Sequence, residues 1–331
     1  MKKSAAGARG SLRRQILVPF LATVLASLLA VIWYASDTLT DSARARAREA
    51  LQGRAAEQAE AMSGLLLRAR SVARSGTGIA HAFLQNENGF DRDLFAQVLR
   101  KELINNPDYI GFFGGFQADF DGQDRRYAGT DLGDEKGRFL LYAARDDKGV
   151  ARTAIAPLTG SDAEKIWYDH PLQTRRTILT PPYLDDVLGV PTLMASIATP
   201  ILDLADEAIG VISVDIPLTT LQKRAAEIKT YAGGSAMVVS HDDKWVATPD
   251  DAAVSRPVDN PELLRLLTDV RAGGSILRAM ADPVTGVPSL VSATAFGVDG
   301  VAERWVLIVS APESEVMAEA VRARWMMLAV G

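Results

Sequence analysis

Apolar residues are densest in two short runs near the middle of the chain. Residues 190–201 and residues 209–216 are rich in β-branched and other apolar side chains, and each run ends at or beside a proline. Runs of this length and composition predict buried β-strands. The segment between them, residues 202–208, is short and acidic, which is typical of a hairpin loop.

A second pattern predicts two helices near the N-terminus. Residues 16–35 are apolar apart from a few small polar positions, and about 20 such residues suffice to cross the hydrocarbon core of a bilayer. Residues 37–84 contain no proline and repeat apolar side chains at intervals of three, four and seven, which predicts a long amphipathic helix. Asp37 or Thr38 is its expected N-cap, and its arginines are expected on a solvated face.

The remaining pattern alternates short apolar runs with turn residues. We expect further helices at residues 90–105, 218–230 and 261–272. We expect further strands at residues 109–120, 123–128, 139–143, 235–240, 245–248, 275–281, 290–296 and 305–310. Asp121 and Gly122 predict a hairpin turn, and Gly114 and Gly115 indicate a bulge or close packing rather than a phosphate loop.

The two halves of this strand-rich region resemble each other. Residues 193–201 (LMASIATPI) match residues 290–298 (LVSATAFGV), and residues 210–218 (GVISVDIPL) match residues 305–313 (WVLIVSAPE). The order and approximate spacing of these segments are the same in both halves, which predicts two copies of one small α/β module.

Composition narrows the possible functions. The length of 331 residues is typical of about two domains, and the net charge of -5 argues against a nucleic-acid-binding protein. The sequence has no cysteine and only three scattered histidines, so we expect no metal and no cofactor. It also lacks the motifs of hydrolases and metalloproteases, and we therefore expect no enzyme activity.

The two ends of the chain carry membrane signals. Residues 1–14 are basic, so the positive-inside rule places them in the cytoplasm, residues 15–36 across the inner membrane and the chain beyond residue 36 in the periplasm or another extracytoplasmic space. A cleaved signal peptide is the alternative, but its apolar region would be shorter. Residues 312–331 predict a C-terminal helix and the start of a second transmembrane helix, with a short amphipathic helix as the alternative.

Asp215 is the candidate for binding chemistry. It lies near the end of an apolar strand, where a buried carboxylate costs free energy unless a cation or a hydrogen-bond donor meets it. We expect the ammonium of a ligand at Asp215 and Lys165 at the ligand's other end. The alternatives are a cap on the helix at residues 218–230 and a structural ion pair. Asp215 aligns near Ser310 of the second copy, so the predicted site belongs to the first copy alone.

Residues 37–320 resemble the double Cache sensor family of bacterial chemoreceptors and sensor kinases. The resemblance is carried by KIWY at residues 165–168, PPYLDD at residues 181–186, the run at residues 193–201 and GVISVDIPL at residues 210–218. It implies an α+β fold in which a long N-terminal helix, residues 37–84, carries two PAS-like antiparallel-sheet modules. The membrane-distal module, residues 85–229, would bind the ligand, and the membrane-proximal module would occupy residues 230–311.

One branch of that family senses amino acids with an Arg-x-Trp motif, a Tyr-x-Asp motif and a final aspartate. Lys165 and Trp167 fall at the first motif, Tyr183 and Asp185 fall at the second, and Asp215 falls at the last position. The resemblance implies that the first pair holds the ligand's carboxylate while the other three residues hold its ammonium.

The sequence departs from that pattern at the carboxylate end of the site. Lys165 cannot form the two-pronged contact of an arginine, and Gly160 falls near the position where the family has a tyrosine. The same stretch also resembles relatives that bind simple amines. Tyr168 is a further candidate contact, and Asp186 is the alternative to Asp185.

These interpretations together predict a membrane-anchored sensor. We expect the sensing part of a methyl-accepting chemotaxis receptor that binds a small amine-bearing metabolite, with an amino acid favoured, and that forms a homodimer through the long helix. The alternative is the sensor region of a histidine kinase or a cyclic-nucleotide enzyme that binds a simple amine, a polyamine or a small carboxylate. A structural protein that oligomerises through the long helix is a third class.

Overall fold

The computed structural model describes residues 12–156, 158, 165–228, 231 and 233–318. Residues Leu51–Pro312 form one compact unit that holds two antiparallel sheets. This arrangement confirms the predicted α+β class with two sheet modules. The cytoplasmic N-terminus, Gly160 and the start of a second transmembrane helix were predicted at positions that lie mainly or wholly outside the described residues.

Helix α1 spans Leu12–Leu84 without interruption. Its segment Ile16–Ala35 is long and apolar enough to cross a membrane, and none of it is buried within the protein. The prediction that a new helix starts at Asp37 or Thr38 is wrong. The hydroxyl of Thr38 donates to the carbonyl of Tyr34 one turn earlier, as hydroxyl side chains do inside a helix, so neither residue caps an end.

The first module contains a sheet of seven strands. Helix α1 and one helix of the module cover one face of this sheet, and a second helix of the module covers the other face. Its helices are α2 (Arg92–Asn105), the short α3 (Asp124–Tyr127) and α4 (Ile166–Thr174). Its strands are β1 (Gly111–Phe116), β2 (Leu140–Arg145), β3 (Ala151–Ile155), β4 (Ile178–Leu179), β5 (Tyr183–Val187), β6 (Val190–Leu202) and β7 (Ala208–Pro217). The strand order is β3-β2-β1-β7-β6-β4, and β5 pairs with the outer part of β6.

The two faces of this sheet differ in what covers them. A Cβ at Gly76 of α1 would contact Ile212, and a Cβ at Gly114 would press on Phe95 and Leu99 of α2, so α1 and α2 cover one face. Helix α4 contacts β6 and β7, and its Trp167 packs with others on the opposite face. Gly114 and Gly115 therefore serve close packing, and β1 pairs with both neighbours without a bulge.

The second module follows the linking helix α5 (Leu218–Glu227) and repeats the central pairing. Its elements are β8 (Ala236–Val239), β9 (Trp245–Ala247), a 3₁₀ turn (Asp251–Ala253), α6 (Pro261–Gly273), β10 (Ser275–Ala281), β11 (Pro288–Phe296) and β12 (Trp305–Pro312). The strand order is β10-β11-β12-β8-β9. Strand β12 lies between β8 and β11 just as β7 lies between β1 and β6, which agrees with the repeat predicted from the sequence.

The predicted strand at residues 123–128 is wrong, because this segment forms α3. Arg92 is fully buried, and its guanidinium lies 2.7 Å from Asp121 and 2.6 Å from Asp124. A buried charge needs partners of this kind, and the chain folds back around the guanidinium to supply them. Asp121 therefore belongs to this ion-pair cluster and not to a β-hairpin turn. Residues 313–318 are helical, as expected for the start of the C-terminal helix.

Candidate functional site

A cavity of about 370 Å³ lies on the face of the first sheet that α4 covers. Aromatic side chains and carboxylates both contribute to its lining. Five of the six predicted site residues line it, namely Lys165, Trp167, Tyr183, Asp185 and Asp215. Asp185 and Asp215 therefore share one cavity beside Trp167, which is the arrangement that the predicted binding mode requires.

Tyr168 does not line this cavity. Residues 165–168 lie at the start of a helix and not in a strand, so consecutive side chains point about 100° apart. Trp167 faces the cavity, whereas Tyr168 is 2% exposed and its hydroxyl accepts a hydrogen bond from Arg138 at 2.6 Å. Tyr168 is thus part of the core that supports α4, and the prediction that it contacts a ligand is not supported by its position.

Asp215 lies at the bottom of the cavity and is 4% exposed. Its Oδ1 accepts hydrogen bonds from the hydroxyls of Ser196 at 2.6 Å and Ser213 at 2.8 Å. Burial raises the pKa of Asp215 to about 6, although the two serine hydroxyls act in the opposite direction. The carboxylate is therefore largely ionised at neutral pH but incompletely compensated, and a cation entering the cavity would stabilise it.

Neither structural alternative for Asp215 is met among the described residues. Helix α5 begins after Pro217, which makes no side-chain capping bond. No described basic side chain forms an ion pair with Asp215. Its hydrogen-bond partners are neutral serines, which leave the negative charge in place for a ligand.

Tyr142 and Gly111 belong to the site although the sequence did not point to them. The buried hydroxyl of Tyr142 has no hydrogen-bond partner in the described part of the protein. It lies close enough to Asp215 to act on the pKa of that carboxyl, but not in good hydrogen-bond geometry. Gly111 pairs with Asp215 across β1 and β7, and a Cβ there would collide with the Tyr142 hydroxyl. Glycine at this position makes room for the Tyr142 hydroxyl beside Asp215.

Tyr183 is connected to Asp215 through a serine. Its hydroxyl lies 2.6 Å from the Ser196 hydroxyl, and because the single Ser196 proton goes to Asp215, Tyr183 must donate to Ser196. Burial and the nearby Asp215 charge hold the pKa of Tyr183 well above its ordinary value. The arrangement orients Asp215 and keeps one edge of the cavity fixed.

The aromatic wall is formed by Trp167 and Phe113. Their rings pack edge to face with centroids 4.6 Å apart, and this contact holds the indole against the cavity. A cation placed over an indole face is attracted by the ring quadrupole. The wall therefore suits the ammonium or the apolar part of a small amine.

Lys165 and Asp185 lie nearer the cavity mouth. Lys165 immediately precedes α4, and its ammonium lies 3.6 Å from the carboxylate of Asp169. Asp185 accepts a hydrogen bond from the backbone of Asp186, and Asp186 in turn ties down Gly189 in the β5–β6 turn. Both aspartates line the cavity, so Asp186 stays open as the alternative contact.

The charges on the cavity wall favour a cationic ligand group. The described lining residues include three carboxylates, Asp185, Asp186 and Asp215, but a single cation, Lys165. Among the described residues, no group of three or more histidine, aspartate or glutamate side chains is arranged to hold a metal ion.

Part of the chain matches a known family of sensor domains. Residues 95–223 match the family of first PDC sensor domains of methyl-accepting chemotaxis protein-like proteins. That segment includes every residue of the cavity discussed above. No curated protein matches the sequence.

Solved sensor domains share the fold over most of the chain. The extracellular domain of mmHK1S-Z3, described as a histidine kinase, is 23% identical and covers 85% of this chain and 98% of its own, with a TM-score of 0.69. The ligand-binding domain of the Pseudomonas fluorescens chemoreceptor CtaA, in complex with L-isoleucine, is 18% identical and covers 84% and 98%, with a TM-score of 0.58.

A third structure is the ligand-binding domain of the Pseudomonas aeruginosa PAO1 amino acid chemoreceptor PctC in complex with GABA. It is 17% identical and covers 80% of this chain and 98% of its own, with a TM-score of 0.53. Residues 95–223 thus match a family of chemoreceptor-type sensor domains, and the chain shares its fold of two sheet modules and a long helix with solved extracellular sensor domains.

Proposed function

We propose that this chain is the membrane-anchored, extracytoplasmic sensing part of a methyl-accepting chemotaxis receptor. It binds a small metabolite that carries an amine, with an amino acid favoured, and it catalyses no reaction. The observation that carries this proposal is the buried, incompletely compensated carboxylate of Asp215 in a cavity shared with Asp185, Trp167 and Lys165.

The ligand's ammonium lies between Asp215 and Asp185 and against the face of Trp167. Its carboxylate is met by Lys165 at the cavity mouth. Each charge-assisted hydrogen bond contributes about 1.5–3 kcal/mol, and a cation over an indole contributes roughly 0.5–2 kcal/mol. After association costs, a ligand of about ten heavy atoms reaches micromolar affinity on this scale. The L-isoleucine and GABA held by two related receptor domains both carry an amine and a carboxylate.

A simple amine or polyamine is the second candidate ligand. This candidate is favoured by the excess of carboxylates over cations on the cavity wall and by the contact between Lys165 and Asp169, which partly occupies the lysine. A sensor region of a histidine kinase is the matching alternative for the whole protein. A ligand that carries carboxylates alone would meet like charges in this cavity.

Anchoring and signalling both depend on helix α1. Ile16–Ala35 is the proposed transmembrane segment, held in the inner membrane with the modules in the periplasm. The proposed homodimer forms through α1, and ligand binding moves the C-terminal helix relative to it by about 1–2 Å, the scale of known helix-shift switches.

A ligand panel tests the proposal. A few amino acids or amines should raise the thermal unfolding temperature of the purified chain. The added free energy of unfolding should follow RT ln(1 + [L]/Kd). Asp215→Ala should abolish this rise, whereas Asp147→Ala, an exposed aspartate of the same module, should leave it unchanged. Lys165→Ala separates the two ligand classes, because an amino acid loses affinity and a simple amine does not. Retained binding in folded Asp215→Ala would exclude the proposed site.

A further inference from the structure

A second cavity, of about 270 Å³, lies between α1 and the edge of the first sheet. Its wall includes Thr199 of β6, which pairs with Ile212 of β7. Ile212 is the residue that faces α1, whereas the next residue, Ser213, lines the first cavity. The two cavities therefore lie on opposite faces of the same sheet and do not share their side chains.

Helix α1 contributes one stripe of polar side chains to this cavity. Arg70, Arg74, Thr77 and His81 follow one another at intervals of four, three and four residues, so they lie on one face of the helix. The imidazole Nε2 of His81 meets the backbone carbonyl of Leu202 at the end of β6. This contact holds the C-terminal end of the stripe against the sheet.

The cavity wall carries more positive than negative charge. Three arginines line it, Arg70, Arg74 and Arg175, and no carboxylate does so among the described lining residues. Arg175 is bonded to Glu207 at 2.5 Å, at a half-exposed position. No described acidic side chain pairs with Arg70 or Arg74. A concave surface with this charge attracts anions.

The opposite wall supplies a hydroxyl donor. The hydroxyls of Thr177 and Thr199 lie 3.1 Å apart, and both are at least partly buried. One of the two must donate to the other, which leaves one hydroxyl proton unused by this pair. It can be donated to an oxygen of a bound group, in addition to the guanidinium donors from α1.

We propose that this cavity binds a small, multiply charged oxyanion, such as inorganic phosphate, sulfate or a short dicarboxylate. Arg70 and Arg74 hold its oxygens through the planar two-pronged geometry that guanidinium groups offer to such anions. Arg175 is already paired with Glu207 and lies at the rim, and the threonine pair supplies a neutral donor from the sheet. This site is distinct from the amine site and does not depend on Asp215.

Titration of the full chain with inorganic phosphate, sulfate or succinate tests the site. Ionic strength is held constant with sodium chloride, since bulk salt screens exposed charges. We expect saturable stabilisation by at least one of these anions beyond the effect of chloride, and the tightest of them identifies the preferred oxyanion. Arg74→Gln should weaken its binding by about tenfold or more, and Arg70→Gln should do the same.

Two control variants make the result specific. Arg100→Gln removes an exposed arginine from α2 of the same module and should leave anion binding unchanged. Asp215→Ala should abolish amine binding yet keep anion binding, so failure of one site is distinguishable from failure of the other. The proposal is overturned if none of the three anions stabilises the protein more than chloride. It is also overturned if Arg74→Gln binds as wild type, or if Arg74→Gln and Arg100→Gln lose equal affinity.

Discussion

Asp215 in the first module and Asp282 in the second are each 4% exposed, but their surroundings shift the pKa of the carboxyl group in opposite directions. Burial raises the pKa of Asp215 to about 6. Burial also acts to raise the pKa of Asp282, but hydrogen bonds from Ser310 and from the backbone of Thr285 and Val284 lower it below its ordinary value. At the same exposed fraction, Asp215 is left in need of a partner, whereas Asp282 accepts hydrogen bonds from two serine hydroxyls and two backbone N–H groups.

The position that matches Asp215 in the second module is Ser310. Its hydroxyl donates to Asp282, which also accepts from Ser235 at 2.9 Å. The space next to β12 is filled by apolar side chains of α6, such as Leu266 and Val270. The same strand arrangement thus supports a packed core in one module and an open, charged cavity in the other.

The largest effect is expected from Asp282→Ala. This change leaves two serine hydroxyls and two backbone N–H groups without their acceptor, and hydrogen bonds to a charged group are the costly ones to lose. The free energy of unfolding should fall by about 3–5 kcal/mol in urea titrations. Amine binding by the folded fraction should stay intact, and a loss below about 1 kcal/mol would show that the hydrogen bonds to Asp282 contribute little to the stability of the second module.

Asp215→Asn should raise the free energy of unfolding of the unliganded protein, whereas Asp282→Ala should lower it. Because the folded-state pKa of Asp215 is raised above its ordinary value of 3.8 to about 6, its contribution to stability is present in full below pH 3.8 and is lost as the pH rises through 6. Asparagine does not ionise, so the variant does not lose this stability as the pH rises. It should be more stable than the wild type by about 2–3 kcal/mol above pH 7.

Urea unfolding of both proteins between pH 4 and pH 7.5 measures this difference. The gap between the two curves should open with rising pH, since Asp215, whose folded-state pKa lies in this range, is the only titratable group by which the two proteins differ. A gap that is constant over this range would mean that the Asp215 pKa is not raised.

Gly111→Ala should destabilise the first module by about 1–2 kcal/mol through overpacking. The added methyl group would collide with the Tyr142 hydroxyl, which must then leave its position near Asp215, so amine affinity should fall as well. Gly78→Ala is the matched control, because a Cβ there meets nothing within 4 Å and a helical alanine is favoured over glycine by about 1 kcal/mol. The stability of both variants is measured by thermal unfolding. Equal unfolding temperatures would argue against the close approach of Gly111 and the Tyr142 hydroxyl.

Tyr142→Phe should give the smallest change in stability. It removes a buried hydroxyl that has no described hydrogen-bond partner, so the unliganded protein should be unchanged or more stable by about 1 kcal/mol. Amine affinity measured by calorimetry should fall by about tenfold if the hydroxyl donates to or accepts from the ligand. Unchanged affinity would place the hydroxyl outside the binding contacts.

The fold could be predicted where local pattern and tertiary packing agree. The runs at β6, β7 and β12 are long and apolar enough to be recognised as buried strands from the sequence. The predicted bounds of β10 coincide with the observed ones. The segment around α3 could not be predicted, because its conformation depends on Arg92, about thirty residues earlier in the chain. The continuity of α1 at Asp37 was also missed, since a good N-cap residue is equally compatible with a helix interior.

The site was predictable to the extent that single residues stood out. Asp215 could be found because a carboxylate in an apolar strand is unusual, and the family resemblance pointed to Trp167. Tyr142 and Gly111 were missed because their relation to Asp215 depends on the pairing of β1, β2 and β7, which a sequence does not show. The arginines of α1 were expected on a solvated face, and Arg68 and Arg74 are indeed exposed. That Arg70 and Arg74 share a cavity with Thr177 and Thr199 could not be predicted, since these threonines lie about a hundred residues away in the chain.

Strand β6 carries Ser196 on one side of the sheet and Thr199, three positions later, on the other. Side chains alternate along a strand, so a slip by a single residue would exchange the two sets. Point substitutions can therefore alter either binding preference separately, whereas an insertion or deletion between these positions would damage both together. The length of this segment should consequently stay constant in descendants of the protein even as their ligands change.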